Sequence, residues 1–153
     1  MWEPRAATAP HMNPWDAVDA QAGAVCVDCE MVQCEGKLSA LARVCLVSVH
    51  SEEVLLDAYC APPSRVVDYL TRYSGIRERD LLHANPFAEV QQVVRQVIDG
   101  RPLVGHGIVN DLRALQLDHP PFLVVDTLDL EWGAGQRKGL KHLSVELLGQ
   151  PIQ

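Results

Sequence analysis

The chain has 153 residues, of which 48% are hydrophobic and 5% aromatic, and its formal net charge is −7. This length predicts one domain with a mainly aliphatic core. The negative charge argues against a domain that grips nucleic acid by bulk positive charge, but it allows an enzyme that reaches nucleic acid through bound metal ions. No apolar run approaches the roughly 20 residues that a membrane helix needs, so we predict no membrane partner.

The start of the chain, MWEPRAATAPHMNPWDAVDAQAG, has three prolines, many alanines and little periodicity. It lacks the Arg-rich, acid-poor composition of a transit peptide. We therefore predict a flexible extension over residues 1–23 and one folded domain over residues 24–153. The five cysteines are an odd number with no secretory signal before them, which favours reduced thiols in the nucleus or the cytoplasm.

Three strands are predicted in the first part of the domain. They are AVCVDCEM (Ala24–Met31), the valine-rich LARVCLVSVH (Leu41–His50) and VLLDAYCAP (Val54–Pro62). Short turns separate them, and short turns between strands favour an antiparallel meander. The mixed pattern of residues 62–84 predicts irregular structure with short helical turns.

The second part of the domain alternates between helices and strands. A helix, FAEVQQVVRQVIDG, follows Asn85 as its predicted cap and Pro86 as its first helical position. RPLVGHG, IVNDLRALQL, FLVVDTLDL and GLKHLSVELLG then predict a strand, a helix, a strand and a helix. A meander followed by this alternation predicts an α/β domain with a mixed sheet.

Two acids lie in the second half of the first strand. Asp28 and Glu30 are two positions apart, so a strand places them on one face, with Cα atoms about 6.6 Å apart. Two carboxylates this close repel unless one is protonated or a cation lies between them, and hard divalent cations such as Mg²⁺ suit such a pair. A strand end that has reached solvent explains the pair equally well.

A second group of polar residues lies where a strand meets a helix, in VGHGIVNDLRAL. Asp111 is either a functional acid or a first-turn acid favoured by the helix dipole. His106 and Asn110 lie at the same junction, and histidines at such places are commonly loop or capping residues. Asp126 in VVDT could face the acids from the fifth strand, although holding a loop is the commoner role.

The spacing Cys26-x-x-Cys29 raises the alternative of a zinc or redox protein. An offset of three on a strand sends the two side chains to opposite faces. Zinc and redox sites prefer this motif on a turn or at a helix start, so the pattern favours this alternative least.

Taken in order, these segments resemble the DEDDh 3′-5′ exonucleases, in the branch of RNA exonuclease 4 and the interferon-stimulated exonucleases. VDCEMV resembles the first motif and LVGHGIVNDLRAL the second. LARVCLVSVH resembles the second strand of that branch, and DYLTRYSGI (Asp68–Ile76) resembles its Ser-Gly-Ile loop. VVDT and LKHLSVELLG match later landmarks, so the resemblance extends from Ala24 onward.

The resemblance implies a ribonuclease H-like fold, with a five-stranded mixed sheet flanked by helices, and two divalent metal ions, Mg²⁺ or Mn²⁺. It implies that Asp28, Glu30 and Asp111 are catalytic and bind the metals. The substrate would be the 3′ end of single-stranded RNA or DNA, RNA being favoured, with 5′-mononucleotides as products. The residues that we assign to substrate binding are Met31, Ser74, Gly75, Ile76, His106 and Asn110.

The chain departs from this pattern at its end. The family's third motif is a histidine, the general base, followed five residues later by a fourth metal-binding aspartate on a final helix. Gln153 precedes both, so the resemblance implies a C-terminally truncated domain that lacks the final catalytic helix. Because loss of a general base typically lowers the rate by about 10²–10⁴-fold, we expect little or no activity from these residues alone.

Two further expectations follow from the departure. His142 and Glu146 do not replace the missing pair, because they are four positions apart on the preceding helix. Leu70 stands where branch members carry an arginine used in nucleotide recognition, which puts the base or ribose preference in doubt. A catalytically dead module that binds nucleic acid or metal is therefore the alternative function.

Overall fold

The computed structural model describes residues 23–130 and 137–152. The predicted extension over residues 1–23 lies outside this part of the chain except for Gly23. One sheet runs through the domain, and its first three strands are β1 (Val25–Cys34), β2 (Leu38–Ser48) and β3 (Val54–Tyr59). The predicted antiparallel meander is confirmed, because β1 pairs antiparallel with β2 and β2 with β3.

The remaining helices and strands follow the predicted alternation, with some additions. They are β4 (Val66–Asp68), α1 (Thr71–Ser74), α2 (Phe87–Ile98), β5 (Leu103–Gly105), α3 (Val109–Leu115), β6 (Val124–Asp126) and α4 (Leu140–Leu143). Short 3₁₀ turns occur at Glu35–Lys37, Glu78–Leu81 and Pro121–Leu123, and a π-helical turn, Ser144–Leu148, continues α4.

The sheet is mixed, as predicted, but it has six strands rather than five. Its order is β3-β2-β1-β5-β6, and β4 pairs separately with β1. β5 runs parallel to β1, and β6 runs parallel to β5. The prediction missed β4 because it is three residues long and pairs only with Gln33 and Cys34, so its own sequence carries almost no alternating pattern.

The main core lies between the sheet and α2. The buried positions of α2 are Val90, Val94 and Ile98, which keep a spacing of four and so form one face of the helix. Asn85 was predicted to cap this helix, but it does not. Its backbone forms a bridge with Cys60 beside the sheet and its amide donates to the Tyr59 carbonyl at 3.3 Å, so it is held away from the helix start.

A bulge in β2 shifts its register with β1 between Glu30 and Met31: Glu30 pairs with Arg43 and Met31 with Leu41, so Ala42 is the extra residue. Before this shift the buried positions of β1 are odd-numbered, Val25, Val27 and Cys29; after it they are even-numbered, Val32 and Cys34. An extra residue in a strand shifts the alternation by one position. β1 itself has no extra residue, so its two sets of buried positions lie on opposite faces. Val25, Val27 and Cys29 belong to the main core, and Val32 and Cys34 belong to a second cluster with Ala40, Ala42 and Ile76.

The leucines of the last predicted helix are largely exposed in the structure. Leu143 is buried, whereas Leu140, Leu147 and Leu148 are 47%, 58% and 72% exposed. These four leucines border a shallow cavity of about 220 Å³ together with Thr127, Ser144 and Ile152. None of the helices in the described ranges is both long enough and apolar enough to cross a bilayer.

Candidate active site

Asp28 and Glu30 share a face of β1, as the strand periodicity predicts. Asp28 is exposed and Glu30 is half-buried. Cys29 lies between them and Val27 precedes them, and both of these residues are buried. Cys26 is exposed on the acidic face, so the two cysteines of the C-x-x-C motif lie on opposite sides of the strand. This separation removes the geometric basis for a zinc or redox site built on both thiols.

One edge of β1 is only partly covered by neighbouring strands. β5 pairs with this strand at Val25 and Cys26, and β4 pairs with it at Gln33 and Cys34. Asp111 of α3 approaches the stretch between these pairings, where its Oδ1 accepts the backbone N–H of Cys29 at 2.9 Å. Asp111 is 7% exposed, and the hydrogen bond brings its carboxylate next to the two acids of β1.

The three carboxylates affect one another electrostatically. Burial, then the charge of Asp28 and more weakly that of Asp111, raise the pKa of Glu30 to about 7, against an opposing effect of Arg43. Burial raises the pKa of Asp111 to about 6, with a further contribution from Asp28, although the Cys29 N–H opposes it. Desolvation also raises the pKa of Asp28, and Arg43 opposes the rise. The cluster is therefore short of positive charge.

Asp126 has the loop-holding role that the sequence favoured. Its Oδ1 accepts the backbone N–H groups of Gly107 at 2.7 Å and Leu128 at 2.9 Å, and its Oδ2 accepts that of Ile108 at 2.9 Å. Because Gly107 and Ile108 immediately precede α3, Asp126 fixes the turn from which that helix begins. The position of Asp111 depends on this turn.

His106 is held at the end of β5 by a side chain from the end of β6. Its Nδ1 lies 2.9 Å from Thr127 Oγ1, and the Thr127 hydroxyl donates to the Gly105 carbonyl at 3.0 Å. Because the hydroxyl proton is directed to Gly105, Nδ1 is the donor to Thr127. His106 lines the same surface cavity as Asp28, whereas the exposed Asn110 accepts a 3.5 Å hydrogen bond from Arg113.

The Ser-Gly-Ile loop is tied down by its own side chains. Ser74 Oγ donates to the Tyr69 carbonyl at 2.8 Å and accepts the Ile76 N–H at 3.0 Å. Ser74 is 9% exposed and Ile76 2% exposed, so the side chains of both residues pack inward. Gly75 is exposed with φ of 69°, a left-handed conformation that suits glycine. Substrate binding by this loop stays a prediction, and the accessible group in it is the Gly75 backbone.

Two other residues named from the sequence lie close to these groups. Met31 lies beside the bulge of β2, is half-buried and packs against the main core. Leu70 is half-buried at the start of α1, with φ of 50°. Its side chain is aliphatic, unlike the arginine that branch members carry at this position. A role for Met31 in substrate binding stays a prediction.

His142 and Glu146 belong to a surface ion cluster. Lys138 Nζ donates to both carboxylate oxygens of Glu146, at 2.6 and 2.8 Å, and His142 Nε2 lies 3.7 Å from Glu146 Oε2. Their partners are thus each other and Lys138.

Arg43 and Asp57 are residues at this site that the sequence analysis did not identify. Arg43 is paired across the sheet with Glu30, and its guanidinium donates to both oxygens of Asp57 at 2.7 Å. Its hydrogen bonds to Asp57 hold the pKa of that carboxyl below its usual range. A signal existed, because Arg43 is the one charged residue in the otherwise apolar run LARVCLV.

Within the part of the chain that the structure describes, no three His, Cys, Asp or Glu side chains are already arranged to hold a metal ion. The donor chemistry of the acids nevertheless suits one. Asp28, Glu30 and Asp111 offer hard oxygen donors, and their raised pKa values mark a place where positive charge is lacking. All five cysteines are free.

Comparison with known proteins gives a consistent result. A model of the exonuclease family RNase_T matches residues 25–149. Human interferon-stimulated 20 kDa exonuclease-like 2 is 38% identical over 138 residues, which are 84% of this chain and 39% of that protein. RNA exonuclease 4 of Xenopus laevis is 46% identical over 105 residues, 67% of this chain and 25% of that protein. The chain thus spans well under half the length of these relatives.

Solved structures agree with these relatives. The catalytic unit of Neurospora crassa Pan2, with protease and nuclease domains, superposes with a TM-score of 0.75 at 25% identity, over 85% of this chain and 23% of that one. A Saccharomyces cerevisiae Pan2 exonuclease module in complex with AAUUAA RNA superposes with a TM-score of 0.75 at 27% identity, over 86% of this chain and 25% of that one. The mixed sheet, the placing of the acids and the family match over residues 25–149 lead to one conclusion: this chain belongs to the exonuclease family and has its ribonuclease H-like fold.

Proposed function

We propose that this domain hydrolyses single-stranded nucleic acid from its 3′ end, RNA in preference to DNA, and releases 5′-mononucleotides with the aid of divalent metal ions. The observation that carries the proposal is the meeting of Asp28, Glu30 and Asp111 at the open edge of β1. The preference for RNA is supported by relatives named RNA exonuclease 4 and by the RNA-bound Pan2 modules.

The acids would bind Mg²⁺ or Mn²⁺. Asp28, Glu30 and the Oδ2 atom of Asp111 are the donors available for this, because Asp111 Oδ1 is engaged with the Cys29 N–H. The bound metal would supply the positive charge that polarises the scissile phosphate and activates a water molecule. The raised pKa values of Glu30 and Asp111, about 7 and about 6, support the proposal, since a bound cation opposes the effects of burial and of the neighbouring carboxylates that cause both shifts.

The chain's own residues would bind and orient the 3′ terminal nucleotide. A surface cavity of about 430 Å³ lies beside the acids and is large enough for part of a nucleotide. Asp28, Arg43, His106 and Leu140 are among the residues that line it. This lining combines charged, hydrogen-bonding and aliphatic surfaces, as binding of a phosphate, a ribose and a base requires.

The test is a cleavage assay with single-stranded RNA labelled at its 5′ end, incubated with the chain and Mg²⁺ or Mn²⁺. We expect shortening from the 3′ end, and none in Asp28→Asn. Glu89→Gln, which changes an exposed acid on α2, is the matched control and should behave as the unchanged chain.

The alternative function is separated in the same experiment by measuring RNA binding. Metal-dependent binding that Asp28→Asn abolishes, without release of mononucleotides, would identify a binding module with an inactive site. Absence of both cleavage and metal-dependent binding would contradict the proposal and its alternative together.

We also propose a nuclear or cytoplasmic location. Five cysteines without a disulfide among them support a reducing compartment. Fractionation of cells that express the chain at its natural level tests this proposal, and recovery from a secretory compartment would contradict it.

A further inference from the structure

Arg43 lies on β2 and projects from the acidic face of the sheet. Its direct partner on β1 is Glu30, and its direct partner on β3 is Tyr59. Directly opposed residues of antiparallel strands share a face, so Arg43 stands on the same side as Glu30 and Asp28. Arg43 and Asp28 also line one surface cavity of about 430 Å³. A cation is thus placed within the site that the acids form.

The guanidinium nevertheless pairs away from the acids of β1. Nε and Nη2 each donate to one carboxylate oxygen of Asp57 at 2.7 Å, and Cζ lies 5.7 Å from the centroid of the Tyr59 ring. Within the described residues, Arg43 forms an ion pair with Asp57 and with no other acid. β3 therefore holds Arg43 so that its charge does not neutralise Asp28 or Glu30 by direct contact.

The Arg43–Asp57 pair contributes more to orientation than to stability. Its side chains are 37% and 42% exposed, and ion pairs at such exposure stabilise a fold by about 0–1 kcal/mol. A two-bond fork fixes the plane of the guanidinium. The fork uses Nε and Nη2, which leaves Nη1 without a protein acceptor among the residues that the structure describes.

An oriented guanidinium edge beside carboxylates suits an anionic ligand. A nucleic-acid strand carries a phosphate on each nucleotide and must approach three acids on a chain of net charge −7. Arginine is well matched to phosphate, because its planar donors can bind two oxygens at once. Nη1 together with the outer N–H of Nη2 offers such a pair of donors.

We propose that Arg43 binds a phosphate of the substrate strand within one nucleotide of the bond to be cleaved, and that Asp57 is the positioning residue that orients its guanidinium. The inference rests on the proposed function, because it takes single-stranded RNA as the ligand. It adds a phosphate-binding residue on β2 to the acids of β1 and α3.

The first experiment measures RNA affinity without turnover. Fluorescence anisotropy of a 5′-labelled single-stranded RNA, with Ca²⁺ in place of Mg²⁺ to slow cleavage, compares the unchanged chain with Arg43→Met and Arg43→Lys. We expect about tenfold weaker binding in Arg43→Met, the loss of about one charge-assisted hydrogen-bonded contact. Arg43→Lys should recover only part of the affinity, because lysine keeps the charge but loses the fork.

The second experiment asks whether the contact is with a phosphate. A methylphosphonate in place of one of the last two linkages removes one anionic oxygen. If Arg43 binds that phosphate, the replacement weakens binding to the unchanged chain about tenfold and leaves binding to Arg43→Met unaffected. An equal penalty in both proteins at each linkage would show that Arg43 contacts something other than these phosphates, and would overturn the proposal.

Controls separate positioning from folding. Asp57→Asn should keep the thermal unfolding midpoint within a few degrees and weaken RNA binding less than Arg43→Met does. Arg137 forms an exposed ion pair of the same 2.7 Å length with Asp129, and it does not line the cavity. Arg137→Met should therefore leave RNA affinity unchanged. If Arg43→Met is folded and binds RNA as the unchanged chain does, the proposal fails while the proposed function stands. If the unchanged chain binds RNA no better than Asp28→Asn, both fail.

Discussion

The carboxylate of Asp126 and the carboxylates of Asp28, Glu30 and Asp111 have very different surroundings in the fold. Asp126 accepts three backbone N–H groups, two of which belong to the turn from which α3 begins. Asp28, Glu30 and Asp111 differ from it: burial raises the pKa of each, and the charge of Asp28 raises the pKa values of Glu30 and Asp111 further.

The difference distinguishes a structural acid from acids that need a ligand. Three backbone N–H groups donate to Asp126, so both of its carboxylate oxygens have partners within the protein. In the acid cluster, burial raises the pKa of Glu30 to about 7. Similar side chains thus satisfy backbone donors at one site and carry raised pKa values at the other.

The largest effect should come from removing the structural acid. Asp126→Ala leaves the N–H groups of Gly107, Ile108 and Leu128 without their acceptor, and each unsatisfied donor that stays buried destabilises a fold by roughly 1–3 kcal/mol. Because Asp126 is half-buried and water can reach part of the site, we expect a loss of about 2–4 kcal/mol in the free energy of unfolding, measured by urea titration. Asp129→Ala, at an exposed position, is the control and should change little.

The next effect should come from supplying the missing charge. Addition of Mg²⁺ or Mn²⁺ should raise the free energy of unfolding of the unchanged chain, by about 1.4 kcal/mol at ten times the dissociation constant. The same additions should stabilise Asp111→Asn much less, because this variant removes one of the three carboxylates. Equal stabilisation of both proteins would place the bound metal away from the cluster.

A smaller effect, of opposite sign to that at Asp126, should come from neutralising a member of the cluster. Glu30→Gln removes the repulsion with Asp28 and the desolvation of a charged group, so the metal-free chain should gain up to about 1 kcal/mol after allowance for solvent screening. Thermal unfolding in EDTA measures this gain. If Glu30→Gln lowers the midpoint instead, Glu30 has a structural role like that of Asp126.

The smallest effect is the pH dependence of that gain. The folded-state pKa of Glu30, about 7, lies above its ordinary value of 4.5, so the folded chain holds the proton to higher pH than the unfolded chain does. The stability that this proton provides is complete below pH 4.5 and is lost as the pH rises through 7. In EDTA, the urea midpoint of Glu30→Gln should therefore exceed that of the unchanged chain by more at pH 8 than at pH 5. A difference that is independent of pH would show that Glu30 is not the titrating group.

The parts of the fold that could be predicted from the sequence are those set by local periodicity. Asp28 and Glu30 share a face because side chains alternate along a strand. The helix that carries Asp111 follows its strand in the order that the pattern indicates. The family resemblance then connected acids that lie 81 positions apart, Glu30 and Asp111, which periodicity alone does not bring together.

The parts that could not be predicted depend on pairing between distant segments. β4 is a strand only because the end of β1 offers it a partner. The fork from Arg43 to Asp57 requires the register of β2 against β3, which no local pattern fixes. The bulge at Ala42 likewise depends on the pairing of β2 with β1, since it is defined by the shift in register between the two strands.

The hydrogen bond from the Cys29 N–H to Asp111 makes one backbone amide an internal reporter of the site. Its proton resonance should move with the charge on Asp111, because an amide proton that donates to a carboxylate is deshielded relative to one that donates to a neutral acid. Its exchange with solvent deuterium should likewise slow when a cation anchors α3 against β1. A single ¹⁵N-resolved signal would thus follow protonation, metal binding and helix docking in one titration, without any substrate present.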